Sequence, residues 1–157
     1  MRNVLALMAA ALLVFVSGCS GEAASDRTDK EAGELLLTVL NSVQFPQTVE
    51  VTDEDRISSE IGIDLSLVED YAIVQQMLSV DVSEVIILIA RDGAAEELEG
   101  VLEKRKESLI NDFAFYPNQV AAAEATEVGK VKNVVFLICH EEAAVARQRL
   151  REEVTNA

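Results

Sequence analysis

His140 is the single histidine of this 157-residue chain, and it stands between Cys139 and the acidic pair Glu141 and Glu142. A histidine followed by a glutamate can open a zinc-protease helix, in which a second histidine four positions after the first completes the pair of metal ligands. That position is Ala144, so the pattern fails. A thiol beside an imidazole can act as a nucleophile, but adjacent strand residues point to opposite faces, and a thiol buried among apolar side chains is inert. Cys139 closes the apolar run Val134-Val135-Phe136-Leu137-Ile138, which reads as core. Gly129-Lys130 lacks both the upstream glycine and the following Ser or Thr of a phosphate-binding loop. Asp53-Glu54-Asp55 and Glu96-Glu97-Glu99 could gather a cation, yet neither follows calcium-loop spacing, and acidic runs at helix starts are usually solvated. No catalytic set, cofactor or metal is expected from these residues.

Two side chains remain as candidate binding residues, Arg105 and Tyr116. Arg105 lies seven residues after Leu98 and four before Leu109, inside the apolar stripe of a helix. Its stem could cover the edge of that stripe with the guanidinium in water. Alternatively, it is a fixed charge paired with a carboxylate such as Asp64, or with an external ligand. Tyr116, just before Pro117, reads as a packing anchor whose hydroxyl finds a backbone partner.

Cys19 offers chemistry of another kind. One early positive charge at Arg2, an apolar run from Val4 to Val16 and the small residues Ser17 and Gly18 precede it. This is the make-up of an export signal. Val16-Ser17-Gly18-Cys19 resembles a bacterial lipobox, which implies cleavage between Gly18 and Cys19 and a lipid on the Cys19 thiol. Residues 1–18 are then the signal peptide. Residues 19–29, small, polar and charged without apolar periodicity, read as a flexible tether, and residues 30–157 as one domain of ordinary size.

Arg2 is the one charged residue lost on cleavage, so the formal net charge of −15 becomes one unit more negative. Such a surface repels phosphate backbones and anionic headgroups. Nucleic acid is not an expected partner, and any hold on the membrane must come from the lipid.

The elements that would position these residues follow from periodicity. Val85-Ile86-Ile87-Leu88-Ile89-Ala90 is a β-branched run too short to span a membrane and bounded by Glu84 and Arg91, as in a sheet strand covered on at least one face. After Arg91-Asp92-Gly93, a Glu-rich start opens a long helix with Leu98, Val101, Leu102, Leu109, Ile110 and Phe113 on one face. Earlier, 31–43 and 53–61 read as helices, the second ending near Gly62, and 71–78 as a strand. Later, 117–126 reads as a helix with Pro117 at its first position, 131–139 as a strand, and 141–154 as a closing helix. The resulting fold class is α+β, with a three-stranded, mainly antiparallel sheet in the order 2-1-3.

Ile61-Gly62-Ile63-Asp64, the run from Glu84 to Gly93, Leu102-Glu103-Lys104-Arg105, Phe113, Tyr116-Pro117 and the Val134 strand together resemble a domain-of-unknown-function family of small lipoproteins from Gram-positive bacteria. The chain departs from that pattern before the last strand, where the usual glycine and aromatic pair appears only as Gly129 with the non-aromatic Val131 and Val134. The resemblance implies no assigned activity.

The expectation is a non-enzymatic binding or assembly module, held through Cys19 at the outer face of the cytoplasmic membrane, with an envelope protein as partner. Two alternatives stay open. One is an envelope hydrolase using carboxylates, which the absence of tryptophan and the few aromatics make a poor sugar platform. The other is an accessory subunit of an envelope transport or folding system.

Overall fold

The structure is a computed structural model that describes residues 26–78 and 80–156. The signal segment, Gly18 and Cys19, and the tether as far as residue 25 lie outside these residues. In chain order the elements are α1 (Ala32–Leu40), β1 (Thr48–Glu50), α2 (Glu54–Arg56, continued by a π turn over Ile57–Ile61), a 3₁₀ turn at Leu65–Leu67, β2 (Val68–Gln76), β3 (Glu84–Ala90), α3 (Ala95–Ser108, continued by a π turn over Leu109–Phe113), α4 (Pro117–Glu124), β4 (Glu127–Val131), β5 (Val134–Cys139) and α5 (Ala143–Thr155). Among the described residues no helix is long and apolar enough to cross a membrane.

The sheet has five strands in the order β1-β2-β3-β5-β4, every neighbouring pair antiparallel. This corrects the expected three-stranded sheet and its 2-1-3 order. The strand formed by Val134–Cys139 pairs with β3, Ile87 opposite Phe136, not with β2. The place beside β2 is taken by β1, Thr48 opposite Gln76, a three-residue strand too short to show a period in sequence. The expected strand over 131–139 is in fact half of a hairpin. β4 and β5 turn at Lys132-Asn133, where Lys132 takes the left-handed φ of 51°.

Continuous apolar runs demand cover on both faces, and β3 and β5 have it. All their residues are buried. The pleat sends Val85, Ile87, Ile89, Val134, Phe136 and Ile138 to one face, where α1 and α5 supply Leu35, Val39, Ala146, Leu150 and Val154. Ile86, Leu88, Val135, Leu137 and Cys139 go to the other, under Ile57 and Ile61, Leu98, Leu102 and Leu109 of α3, and Ala122 and Ala123 of α4. Each fully buried aliphatic side chain contributes about 1.5–3 kcal/mol, so two filled faces make the sheet's centre the seat of stability.

Local chemistry sets the helix ends. Asp53 caps α2, its Oδ1 accepting from the Arg56 amide at 3.1 Å, and Gly62 closes the π turn at a left-handed φ of 85°. Asp70 reaches from β2 to accept the Ala32 amide of α1 at 2.7 Å. Lys30 ties α1 to α5 through Glu34 at 2.9 Å and Glu153 at 3.0 Å. Those two carboxylates, through their hydrogen bonds, hold its pKa above the ordinary lysine value. α5 begins at Ala143, leaving Glu141 and Glu142 ahead of it and Arg147, Arg149 and Arg151 in its middle.

The two ends of the sheet differ. At the end where β2 starts and β3 stops, Arg27 pairs with Glu69 and Asp92, and the Thr28 amide donates to Asn133 Oδ1 at 2.7 Å. The chain therefore arrives from its N-terminal segment at this end. The opposite end carries the β2–β3 loop and the turn between α3 and α4.

Candidate functional site

At that opposite end the β2–β3 loop is pinned by main-chain bonds: the Met77 amide donates to Gln47 O at 2.9 Å and the Asp81 amide to Leu78 O at 3.1 Å. Asp81 Oδ1 in turn accepts from the Ser83 amide at 2.8 Å and hydroxyl at 2.7 Å. The loop so fixed exposes Met77, Leu78 and Val80. The turn after α3 comes alongside it, Asn118 Nδ2 donating to Val80 O at 3.5 Å. That turn exposes Phe113, Phe115 and Tyr116, with Phe115 at 76 % the most exposed large apolar side chain among the described residues.

A π turn explains why Phe113 is outside. α-Helical spacing from Leu109 would place it on the buried stripe, but the i→i+5 bonding over Leu109–Phe113 changes the angular step per residue. Phe113 rotates outward, and its ring lies 5.2 Å from the guanidinium carbon of Arg105. Proline fixes the start of α4, and Gln119, itself buried, accepts from the Phe115 and Tyr116 amides at 2.9 and 3.0 Å. Tyr116 therefore stands at the start of α4 as a residue 59 % exposed. The expected packing role of its ring is corrected.

Arg105 is covered, its side chain 10 % exposed. Its partner is Glu84, not Asp64: Nε donates to Oε2 at 2.9 Å and Nη2 to Oε1 at 3.3 Å, while Gln75 Nε2 donates to Oε1 at 2.7 Å. Glu84, 1 % exposed, is the first residue of β3, so the last turns of α3 are locked to the strand beneath the exposed loops. Asp64 instead caps its own 3₁₀ turn, accepting from the Ser66 amide at 2.9 Å. Its hydrogen bonds from Ser66 side chain and backbone hold the carboxyl below the usual carboxylate range.

Beside the exposed loops lies a cleft of ≈ 430 Å³ lined by Phe45, Asp81, Ser83, Asn118, His140, Glu141 and Glu142, among others. His140 sits on its wall with Nδ1 accepting from the Glu142 amide at 3.0 Å, Nε2 3.3 Å from Gln44 O, and the ring 4.6 Å from that of Phe45. The neutral tautomer with hydrogen on Nε2 satisfies both bonds. Cys139 points away into the core; burial, aided by the charges of Glu84 and Asp81 and opposed by a bond with Thr126, pushes its thiol up to about 11.

The acidic runs hold protein cations and caps. Glu96 and Glu99 pair with Lys130, Glu99 at 2.8 Å, and their hydrogen bonds raise the Lys130 pKa. The arrangement at this end can grip an apolar body on the loops and hydrogen-bond a polar or cationic group in the cleft. Sequence reasoning singled out Arg105 and Tyr116 but not Glu84, Leu78, Val80 or Phe115, which the structure places at the same end. The available signal was a glutamate at the head of an apolar strand, and the large apolar residues Val80 and Phe115 inside two expected connections.

Comparison with curated proteins and with solved structures returns no match. A family model matches residues 41–140, from the end of α1 through His140 and including both exposed loops and the Glu84–Arg105 pair. The chain belongs to the family described as Domain of unknown function (DUF4358).

Proposed function

We propose that this protein is a lipid-anchored, extracytoplasmic binding or assembly module of the cell envelope, non-enzymatic, with Cys19 carrying the lipid. The observation that supports this reading is the placement of the exposed loops. Phe115, Leu78, Val80 and Tyr116 occupy the end of the sheet opposite the one where Arg27 and Thr28 join the body. Seven peptide steps separate Cys19 from Asp26 and span at most about 25 Å, whereas the nine residues of β2 extend about 30 Å. An anchor at Cys19 would therefore hold the Arg27 end nearer to the membrane than those loops. Large apolar side chains kept in water by a rigid frame mark interaction sites.

The test is site-directed photo-cross-linking in cells producing the full chain. A cross-linker at position 115 should give a discrete adduct that disappears in Cys19→Ser cells, whereas one at exposed Leu37, on α1, should give none. Equal labelling from both positions, or none from 115, overturns the reading.

A further inference from the structure

The character of the partner can be read from what surrounds the exposed loops. Asp81 belongs to the β2–β3 loop itself, and Asn118, bonded to Val80 O, lines the same cleft as Asp81, Glu141 and Glu142. Aliphatic and aromatic side chains thus continue directly into a wall of three carboxylates. Arg105, in the last turns of α3, is already spent on Glu84 and lies over Phe113, and the described residues lining the cleft include no lysine or arginine. A second copy meeting this one loop to loop would oppose like charges, which costs several kcal/mol at an interface. Bilayer insertion is opposed both by the tether's reach and by repulsion between these carboxylates and anionic headgroups.

Resting on the binding-module reading, we propose that this end docks a basic amphipathic segment of a partner polypeptide. Its apolar face lies on Leu78, Val80, Phe115 and Tyr116, and its Lys or Arg side chains enter the cleft against Asp81, Glu141 and Glu142. The apolar contacts supply most of the affinity. The carboxylates select sign and speed association, as charged rims do.

The probe is a designed 18-residue leucine–lysine helix titrated against the full chain held in nanodiscs of neutral lipid, with empty nanodiscs as reference. A leucine–glutamate helix of the same pattern is the comparison. The lysine helix should bind and the glutamate helix should not. Leu78→Ser with Phe115→Ser should weaken binding at least tenfold at all salt concentrations. Asp81→Asn with Glu141→Gln and Glu142→Gln should weaken it similarly at low salt and reduce its salt dependence. Leu37→Ser should leave it unchanged, and all variants should keep the native unfolding midpoint.

Binding insensitive to the loop variants would reduce the effect to net charge and overturn the proposal. Sedimentation showing a dimer that Leu78→Ser dissociates would make the occupant a second copy; binding of the full chain to empty anionic nanodiscs that Phe115→Ser abolishes would make it a membrane. A position-115 adduct that forms in cells but that the lysine helix does not displace keeps the module reading and overturns the basic segment. Absence of that adduct removes both.

Discussion

Glu84 and Arg105 face each other as a two-point ion pair, 2.9 and 3.3 Å long, between the first residue of β3 and the last turns of α3. Gln75 of β2 donates to the same carboxylate, so three elements converge on one buried charge. Removing one partner should therefore cost more than removing both. Arg105→Met leaves the buried Glu84 carboxylate without its cation, a loss of about 3–5 kcal/mol, while Glu84→Met combined with Arg105→Met should recover at least half of it. Urea unfolding of the single and double variants measures the difference. An Arg105→Met protein as stable as the native one would show that the pair fixes nothing.

Cys139 should report burial through pH. The fold favours the neutral thiol, raising its pKa from 9.0 to about 11. Stability from this group is complete below pH 9 and is lost as pH rises through 11, about 2–3 kcal/mol in all. Cys139→Ala should flatten that limb of the stability curve. In native protein at pH 8 the thiol should react with a disulfide reagent only at the rate of unfolding; immediate reaction would place the sulfur at the surface.

Gly129 and Gly100 should respond to alanine with opposite sign. A Cβ at Gly129 would sit 3.2 Å from Phe136 Cζ, and that ring is fully buried and cannot swing away. Crowding of about 1–3 kcal/mol outweighs the roughly 0.5–1 kcal/mol gained by leaving glycine, for a net loss near 1 kcal/mol. Gly100, within α3, has nothing within 4 Å of its would-be Cβ, and Gly100→Ala should gain about 0.5–1 kcal/mol. Thermal unfolding of the two variants decides; equal shifts would contradict the packing of β4 on Phe136.

Cys19 should carry the anchor. Native protein should incorporate labelled fatty acid such as palmitate, and Cys19→Ser should lose the label and either appear in the medium or stay uncleaved. Label retained by Cys19→Ser, or never taken up by the native chain, removes the lipid from the proposal.

The amino-acid sequence by itself determined which stretches are helix or central strand, because β3, β5 and α3 carry strong periods or unbroken apolar runs whose burial outweighs everything local. It also placed Arg105 on the apolar stripe, seven residues after Leu98 and four before Leu109, but left open whether its guanidinium lies in water or is paired. It was silent on strand order. Three-residue β1 has no period to show, and the choice between β2 and β3 as neighbour of β5 depends on which edge is already occupied. The hairpin at Lys132-Asn133 lacked glycine, so β4 (Glu127–Val131) went unread and only its partner was expected as a strand. Glu84 was invisible as a partner because its 21-residue separation from Arg105 closes only when α3 folds back along β3. The exposed loops were equally a tertiary result. Leu78 and Phe115 lie 37 positions apart, and only the π turn after α3, with the Asn118 bond to Val80, brings them onto one end of the domain and away from the tether.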